Sequence, residues 1–218
     1  KTASSTVLSP IETAENAEEY SQKPEELVED LKKMGPTYIK LGQLLSTRPD
    51  LLPDQYLDAL ATLQDDVETI PYEEVEKIIE EEIGTKIKNA FALFDTAPLA
   101  SASIGQVHRA VLPSGRMVVV KVQRPGVRQK FIDDLNSLKN MADFAVNNSK
   151  EARKFALNDV IEELRFILLN ELDYNKEFQN LVTIRENLRK YSHIVIPEPI
   201  KEYSSGKVLT MDYIDGKK

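Results

Sequence analysis

Lys121 stands in the run Met117-Val118-Val119-Val120-Lys121-Val122, a strand so apolar that its ammonium must either snorkel to water or meet an anionic partner. A phosphate is one anion such a group serves, and about twenty residues earlier the chain offers a place to hold one. The segment Pro98-Leu99-Ala100-Ser101-Ala102-Ser103-Ile104-Gly105-Gln106 is built of small side chains. Small residues let backbone N–H groups approach an anion closely, and Ser101 and Ser103 add hydroxyl donors. The segment is not a Walker A sequence and its only glycine is Gly105, so a tight turn of small residues is the plainer alternative. An ordinary exposed strand lysine is the plainer alternative for Lys121.

A second group is acidic: Glu171-Leu172-Asp173-Tyr174-Asn175-Lys176-Glu177. At about 100° per residue on an ideal helix, Glu171 falls on the apolar stripe of Val160, Leu164, Leu168 and Phe178. A carboxylate there needs a partner, either a ligand or a neighbouring helix. Asp173 and Glu177 share a different face, so Glu171 and Glu177 cannot reach one ligand from a straight helix. Either the helix breaks near Asn170 or the two serve different partners. A third group is Lys40-Leu41-Gly42-Gln43, where Lys40 and Gln43, three apart, project together. Gly42 inside a helix costs about 1 kcal/mol against alanine, which is reasonable where a backbone or a ligand packs close; a solvated helix face is the alternative.

The elements that must carry these residues follow from pattern and punctuation. Residues 1–24 are rich in Ser, Thr, Ala and Glu without apolar periodicity and read as a flexible lead-in. Leu27, Leu31 and Met34 mark a first helix with Gly35 as its stop, and Pro36 opens a second over residues 37–47. Residues 53–64 and 71–83 are two more helices, the last stopped by Gly84. From Phe91 the texture changes to short β-branched runs at 94–99, 104–112 and 117–122, with Pro113-Ser114-Gly115 turning the last two into a hairpin. Helix resumes over 127–147 and in a longer stretch over 158–188. Two further strands, 194–201 and 208–213, close the chain. The fold class is α+β, a five-stranded antiparallel sheet with helix inserted between its third and fourth strands.

The chain has 218 residues, enough for a buried core. A net charge of −8 argues against nucleic acid as a partner. The absence of cysteine excludes disulfides and thiolate-bound zinc, and the two histidines, His108 and His193, are far apart in strand-like runs and read as structural. No apolar run approaches the ~18 residues a membrane span needs.

At these residues the sequence resembles the UbiB-like family of atypical kinases, which supports quinone biosynthesis. Lys40-Leu41-Gly42-Gln43 is similar to its KxGQ signature. Ala100-Ser101-Ala102-Ser103 is similar to the alanine-rich loop that replaces a glycine-rich one, with Ser101 where many members have alanine. Val118-Val119-Val120-Lys121 resembles the strand with the phosphate-binding lysine, and Glu171-Leu172-Asp173 the ExD motif. The resemblance implies a kinase-like N-lobe over 91–218 after a helical extension over 25–90, with the second lobe absent from this chain.

It further implies ATP or ADP with Mg2+ as cofactor, covered by Ala100, Ser101, Ala102, Ser103, Ile104, Gly105, Gln106 and Val107. Lys121 would bridge phosphate and Glu177, with Glu171 and Asp173 also catalytic. Asp212 and Ile214 would offer hinge backbone to adenine behind Met211 as gatekeeper. Lys40 and Gln43 would be regulatory, folding over the cleft and occluding a protein substrate. No catalytic-loop Asp or Asn and no metal-binding Asp-x-Gly segment is found, so no metal ligand is expected here and the 218 residues alone are expected to be inactive. The parent would be an ATPase or small-molecule kinase. The alternative is a non-catalytic, ATP-gated scaffold recruiting quinone-biosynthesis enzymes. A membrane surface is a further partner the family's quinone link suggests, in a bacterial cytoplasm or a eukaryotic organelle.

Overall fold

The computed structural model describes residues 23–63, 68–150, 153 and 156–216; the expected lead-in lies outside them but for its last two residues. The chain divides into two compact units, the first ending at Leu63.

Among its described residues the first unit holds three helices: α1 (Pro24–Met34), α2 (Pro36–Leu45) and α3 (Asp54–Leu60). Proline at the first position of α1 and α2 gives up no hydrogen bond, because first-turn N–H groups have no intrahelical acceptor. Gly35 turns between them at φ 104°, in the left-handed region that disfavours side chains. Val28, Leu31, Ile39, Leu60 and Leu63 form the core. A Cβ on Gly42 would overlap the Leu63 side chain and stand 2.9 Å from Leu31 Cδ1, so leucine side chains, rather than a backbone, explain the close packing expected there.

The second unit contains α4 (Tyr72–Ile83), α5 (Ile87–Ala90), β1 (Leu93–Phe94), β2 (Ala100–Ser101), β3 (Gly105–Val111), β4 (Met117–Gln123), α6 (Val127–Asn148), α7 (Leu157–Glu171), α8 (Tyr174–Leu188) and β5 (Val208–Asp212). The sheet is antiparallel, ordered β1-β3-β4-β5 with β2 also on β3. Alternation along β4 sends Val118, Val120 and Val122 into a core with Val75 and Ile79 of α4 and Ile87 of α5. Lys121 therefore faces the other side. Helices α4 and α5, which the sequence reading groups with the leading extension up to residue 90, belong to the sheet's own core.

Three element boundaries differ from expectation. The single helix over 158–188 is two, because the Asp173 carboxylate accepts the Asn175 N–H and caps α8; aspartate competes with the helix for its own backbone. The strand over 194–201 is reduced to an isolated bridge, Pro199 to Met211, since Pro197 and Pro199 have no N–H for a ladder. The strand over 94–99 is interrupted: Leu93 and Phe94 pair with Val111 and Ala110, whereas Ala100 and Ser101 pair with Val107 and Gln106. In the gap the His108 ring takes a ladder partner's place, its Nδ1 2.8 Å from the Asp95 carbonyl. The sheet thus has five strands, with the fifth arising from this split.

Candidate functional site

The hairpin register sets the site. β3 and β4 pair Gly105 with Gln123 and Val107 with Lys121, so the small-residue loop opens two residues beyond the lysine's cross-strand partner. Lys121 Nζ lies 2.6 Å from Glu177 Oε2 on α8 and 4.7 Å from the centre of the Tyr174 ring. Tyr174 and Glu177, three apart, share one face of α8. The cap at Asp173 starts this helix where both can meet β4. The side chains of Lys121 and Glu177 are 23% and 37% exposed, so the pair adds little to stability but fixes where the ammonium stands.

Tyr174 is fully buried and its hydroxyl has no hydrogen-bond partner among the described residues. Burial first, then the charges of Glu177 and Glu171, push its pKa above the ordinary phenol value, so it stays protonated and can only donate or accept as a neutral group. The hydroxyl also explains Gly105: a Cβ there would lie 2.5 Å from the Tyr174 oxygen and 2.5 Å from the Val122 carbonyl.

The loop divides the expected donors. Inside it the Ala102 N–H donates to the Gly105 carbonyl at 2.8 Å, while the N–H groups of Ser103 and Ile104 meet no acceptor among the described residues. Two adjacent N–H groups without an acceptor are donors of the kind an anion takes in a turn; both residues are buried, Ser103 fully. The hydroxyls behave differently. Ser101 Oγ donates to the Glu68 carbonyl at 3.3 Å and accepts from Arg124 at 2.6 Å, so it is spent within the protein. Ser103 Oγ is buried and has no partner among the described residues. The Gln106 side chain turns into the core, donating to the His108 ring and bonding both backbone groups of Ile70, so its side chain faces no ligand. Burial lowers the His108 pKa; with Nδ1 donating to a carbonyl and Nε2 accepting from Gln106, the ring is neutral.

The remaining expected residues sort as follows. Glu171 and Glu177 line one surface depression of about 680 Å3 at the α7–α8 junction, on either side of a helix break, the first of the two alternatives the straight-helix geometry left. Asp173 is occupied as the α8 cap, a structural task. The Asp212 carboxylate bonds Arg116 at 2.7 Å and the Glu198 N–H at 3.1 Å, and the Arg116 guanidinium holds its pKa below the usual range. Only backbone is then left at Asp212 for a ligand, and Ile214 beyond it is exposed. Lys40 and Gln43 belong to the first unit, where Gln43 Nε2 donates to the Leu63 carbonyl. A further cavity, about 860 Å3, lies between α4, the β4–α6 turn and the α7–α8 junction and is lined by neither Lys121 nor Glu177.

Two residues at the loop escape the sequence reading, Arg124 and Tyr174. Tyr174 is legible in principle from its spacing to Glu177. Arg124 follows the apolar strand directly, but its role needs the β3–β4 register.

An antiparallel sheet whose β4 lysine pairs with a glutamate of α8, beside a turn of small residues, is the architecture of a kinase-like lobe. A family model described as the ABC1 atypical kinase-like domain matches residues 62–218, and the chain belongs to this UbiB-like family. It is 42% identical over 195 residues to Protein ACTIVITY OF BC1 COMPLEX KINASE 7, chloroplastic, of Arabidopsis thaliana, covering 88% of this chain and 28% of that protein. It is 39% identical over 186 residues to the probable protein kinase UbiB of Xylella fastidiosa, covering 85% of this chain and 34% of that protein. Among solved structures, Rv3197 of Mycobacterium tuberculosis in complex with erythromycin superposes with a TM-score of 0.60 at 29% identity, over 94% of this chain and 51% of that one. The chain therefore spans about a third of the length of these curated relatives. Among the described residues no helix is long and apolar enough to cross a membrane.

Proposed function

We propose that this lobe binds ATP or ADP, with the phosphates between the N–H groups of Ser103 and Ile104 and the ammonium of Lys121. The observation that carries this reading is the Lys121–Glu177 ion pair at 2.6 Å, on the sheet face beside the loop. An ammonium kept in place by a carboxylate is a preorganised counter-charge for phosphate, and positioning with charge neutralisation is most of what phosphoryl transfer asks of a protein. The Asp212 carbonyl and the Ile214 N–H would take the adenine edge.

Among the described residues no three His, Asp or Glu side chains are grouped to hold a metal ion. Mg2+ would therefore arrive on the phosphates it chelates, as this ion commonly does, and neutralise their charge. Lys40 and Gln43 would act from the helical unit as regulators that restrict access of a protein substrate. In the whole protein the activity would be ATP hydrolysis or phosphorylation of a small molecule within quinone biosynthesis.

The test is nucleotide binding by the intact protein. Lys121→Ala is expected to abolish the thermal shift produced by MgATP while leaving the unliganded melting temperature within about 4 °C, because a partly exposed ion pair contributes at most about 1 kcal/mol. An unchanged MgATP response in Lys121→Ala would overturn the reading.

A further inference from the structure

Arg124 is the first residue after β4 and holds the loop at both ends. Its Nε donates to the Ala102 carbonyl at 2.8 Å, one terminal nitrogen reaches both Ser101 Oγ and the Glu68 carbonyl, and its backbone N–H donates to the Ile104 carbonyl at 2.9 Å. No carboxylate lies within ion-pair distance of it among the described residues. Among the described residues every acceptor it has is neutral: two carbonyls and a hydroxyl.

In a planar trans peptide the C=O and the following N–H point in opposite directions. Fixing the Ala102 carbonyl on the guanidinium therefore aims the Ser103 N–H away from Arg124. Fixing the Ile104 carbonyl on the Arg124 backbone aims the Gly105 N–H the same way. One residue thereby sets the direction of the Ser103 N–H, a donor of the nucleotide reading, and of the Gly105 N–H, and so flanks the Ile104 N–H between two fixed peptides. Glu68, whose carbonyl completes the clasp, belongs to the stretch leading into α4, and Ile70 of the same stretch is pinned by Gln106. The loop is thus fastened to the chain that enters the lobe.

We propose that Arg124 is a positioning residue that clasps the small-residue loop by its carbonyl groups and so presents the loop's N–H groups to the phosphates of a nucleotide. The inference rests on the nucleotide reading of this loop. Ser101 is part of the clasp and not a phosphate contact.

The experiment compares wild type, Arg124→Ala, Arg124→Lys and Ser101→Ala in the intact protein. It measures affinity for MgATP and for adenosine, and hydrogen exchange at the loop amides without nucleotide. Arg124→Ala is expected to speed exchange at Ser103 and Gly105 and to weaken MgATP about tenfold. Adenosine, which lacks phosphate, is expected to stay within about twofold, a split that general loss of structure would not produce. Arg124→Lys keeps the charge but not the fork and is expected to weaken MgATP about threefold; it serves as the decisive variant if the alanine protein does not fold. Wild-type MgATP affinity in Arg124→Lys and Ser101→Ala, or an equal loss of MgATP and adenosine, overturns the inference. A wild type that binds no nucleotide, like Lys121→Ala, overturns the underlying reading as well, and is told apart because it appears without any change at Arg124.

Discussion

Gly105→Ala is a single-methyl test of how tightly the loop is seated. The added Cβ would lie 2.5 Å from the Val122 carbonyl oxygen and 2.5 Å from the Tyr174 hydroxyl, both about an ångström inside ordinary van der Waals contact. Neither neighbour can retreat cheaply. Val122 belongs to β4, held between β3 and β5, and Tyr174 is fully buried at the first turn of α8. Overpacking of this kind costs about 1–3 kcal/mol, and two contacts with rigid partners place Gly105→Ala near the top, about 3 kcal/mol. For a domain of this size each kcal/mol moves the melting temperature by about 2–4 °C, so a fall of about 6–12 °C is expected. Tyr174→Phe separates the two contacts. Alone it removes a buried hydroxyl that has no partner and is expected to be neutral or stabilising. Combined with Gly105→Ala it should recover about 1 kcal/mol while the clash with Val122 remains. The measurement is denaturant unfolding of the four proteins of this cycle. A Gly105→Ala protein within 0.5 kcal/mol of wild type, the usual scatter of surface changes, would refute the argument, as would a double variant with no recovery.

Gly42→Ala should behave differently, because the three atoms nearest its new methyl are the ends of the Leu63, Leu31 and Leu60 side chains. These can shift, and alanine regains about 1 kcal/mol of helix propensity, so calorimetry should show a change within about 1 kcal/mol. His108 has a pKa lowered by burial, so the unfolded chain binds its proton more readily than the folded one. Stability should therefore fall as the pH drops below about 6.5, the unfolded value, toward the folded one; urea midpoints from pH 8 to 5 would show it, and His108→Asn should remove that slope. Asp173→Ala should cost about 1 kcal/mol through loss of the α8 cap, whereas Asp173→Asn, which still accepts from the Asn175 N–H, should not. An Asp173→Asn protein that folds as wild type but loses nucleotide-dependent turnover would place that carboxylate on the ligand after all.

What the sequence makes legible here is local. Pro36, Gly35 and Gly84 mark helix ends because their constraints act within one turn. Gly115, at φ 85°, turns the β3–β4 hairpin for the same reason. The misjudged boundaries are those where a distant or competing partner decides. His108 satisfies the Asp95 carbonyl thirteen residues away, and that bond, not strand propensity, lets β1 part from β2. Asp173 was free by pattern to continue a helix, but its side chain outbid the backbone at one position and turned one helix into two. That break is what the candidate site needs: a straight helix over 158–188 would hold Glu171 and Glu177 on different faces. The partner of Lys121 lies 56 residues away, a separation no periodicity encodes, and it was suggested by family resemblance alone. Arg124 had no such guide. Its grip on Ala102 and Ile104 exists only because the hairpin register sets Gln123 opposite Gly105, and a one-residue slip would carry the guanidinium to the other face of the sheet. Residues that touch a ligand can be suggested by their chemistry; residues that aim a backbone are visible only after the register is known.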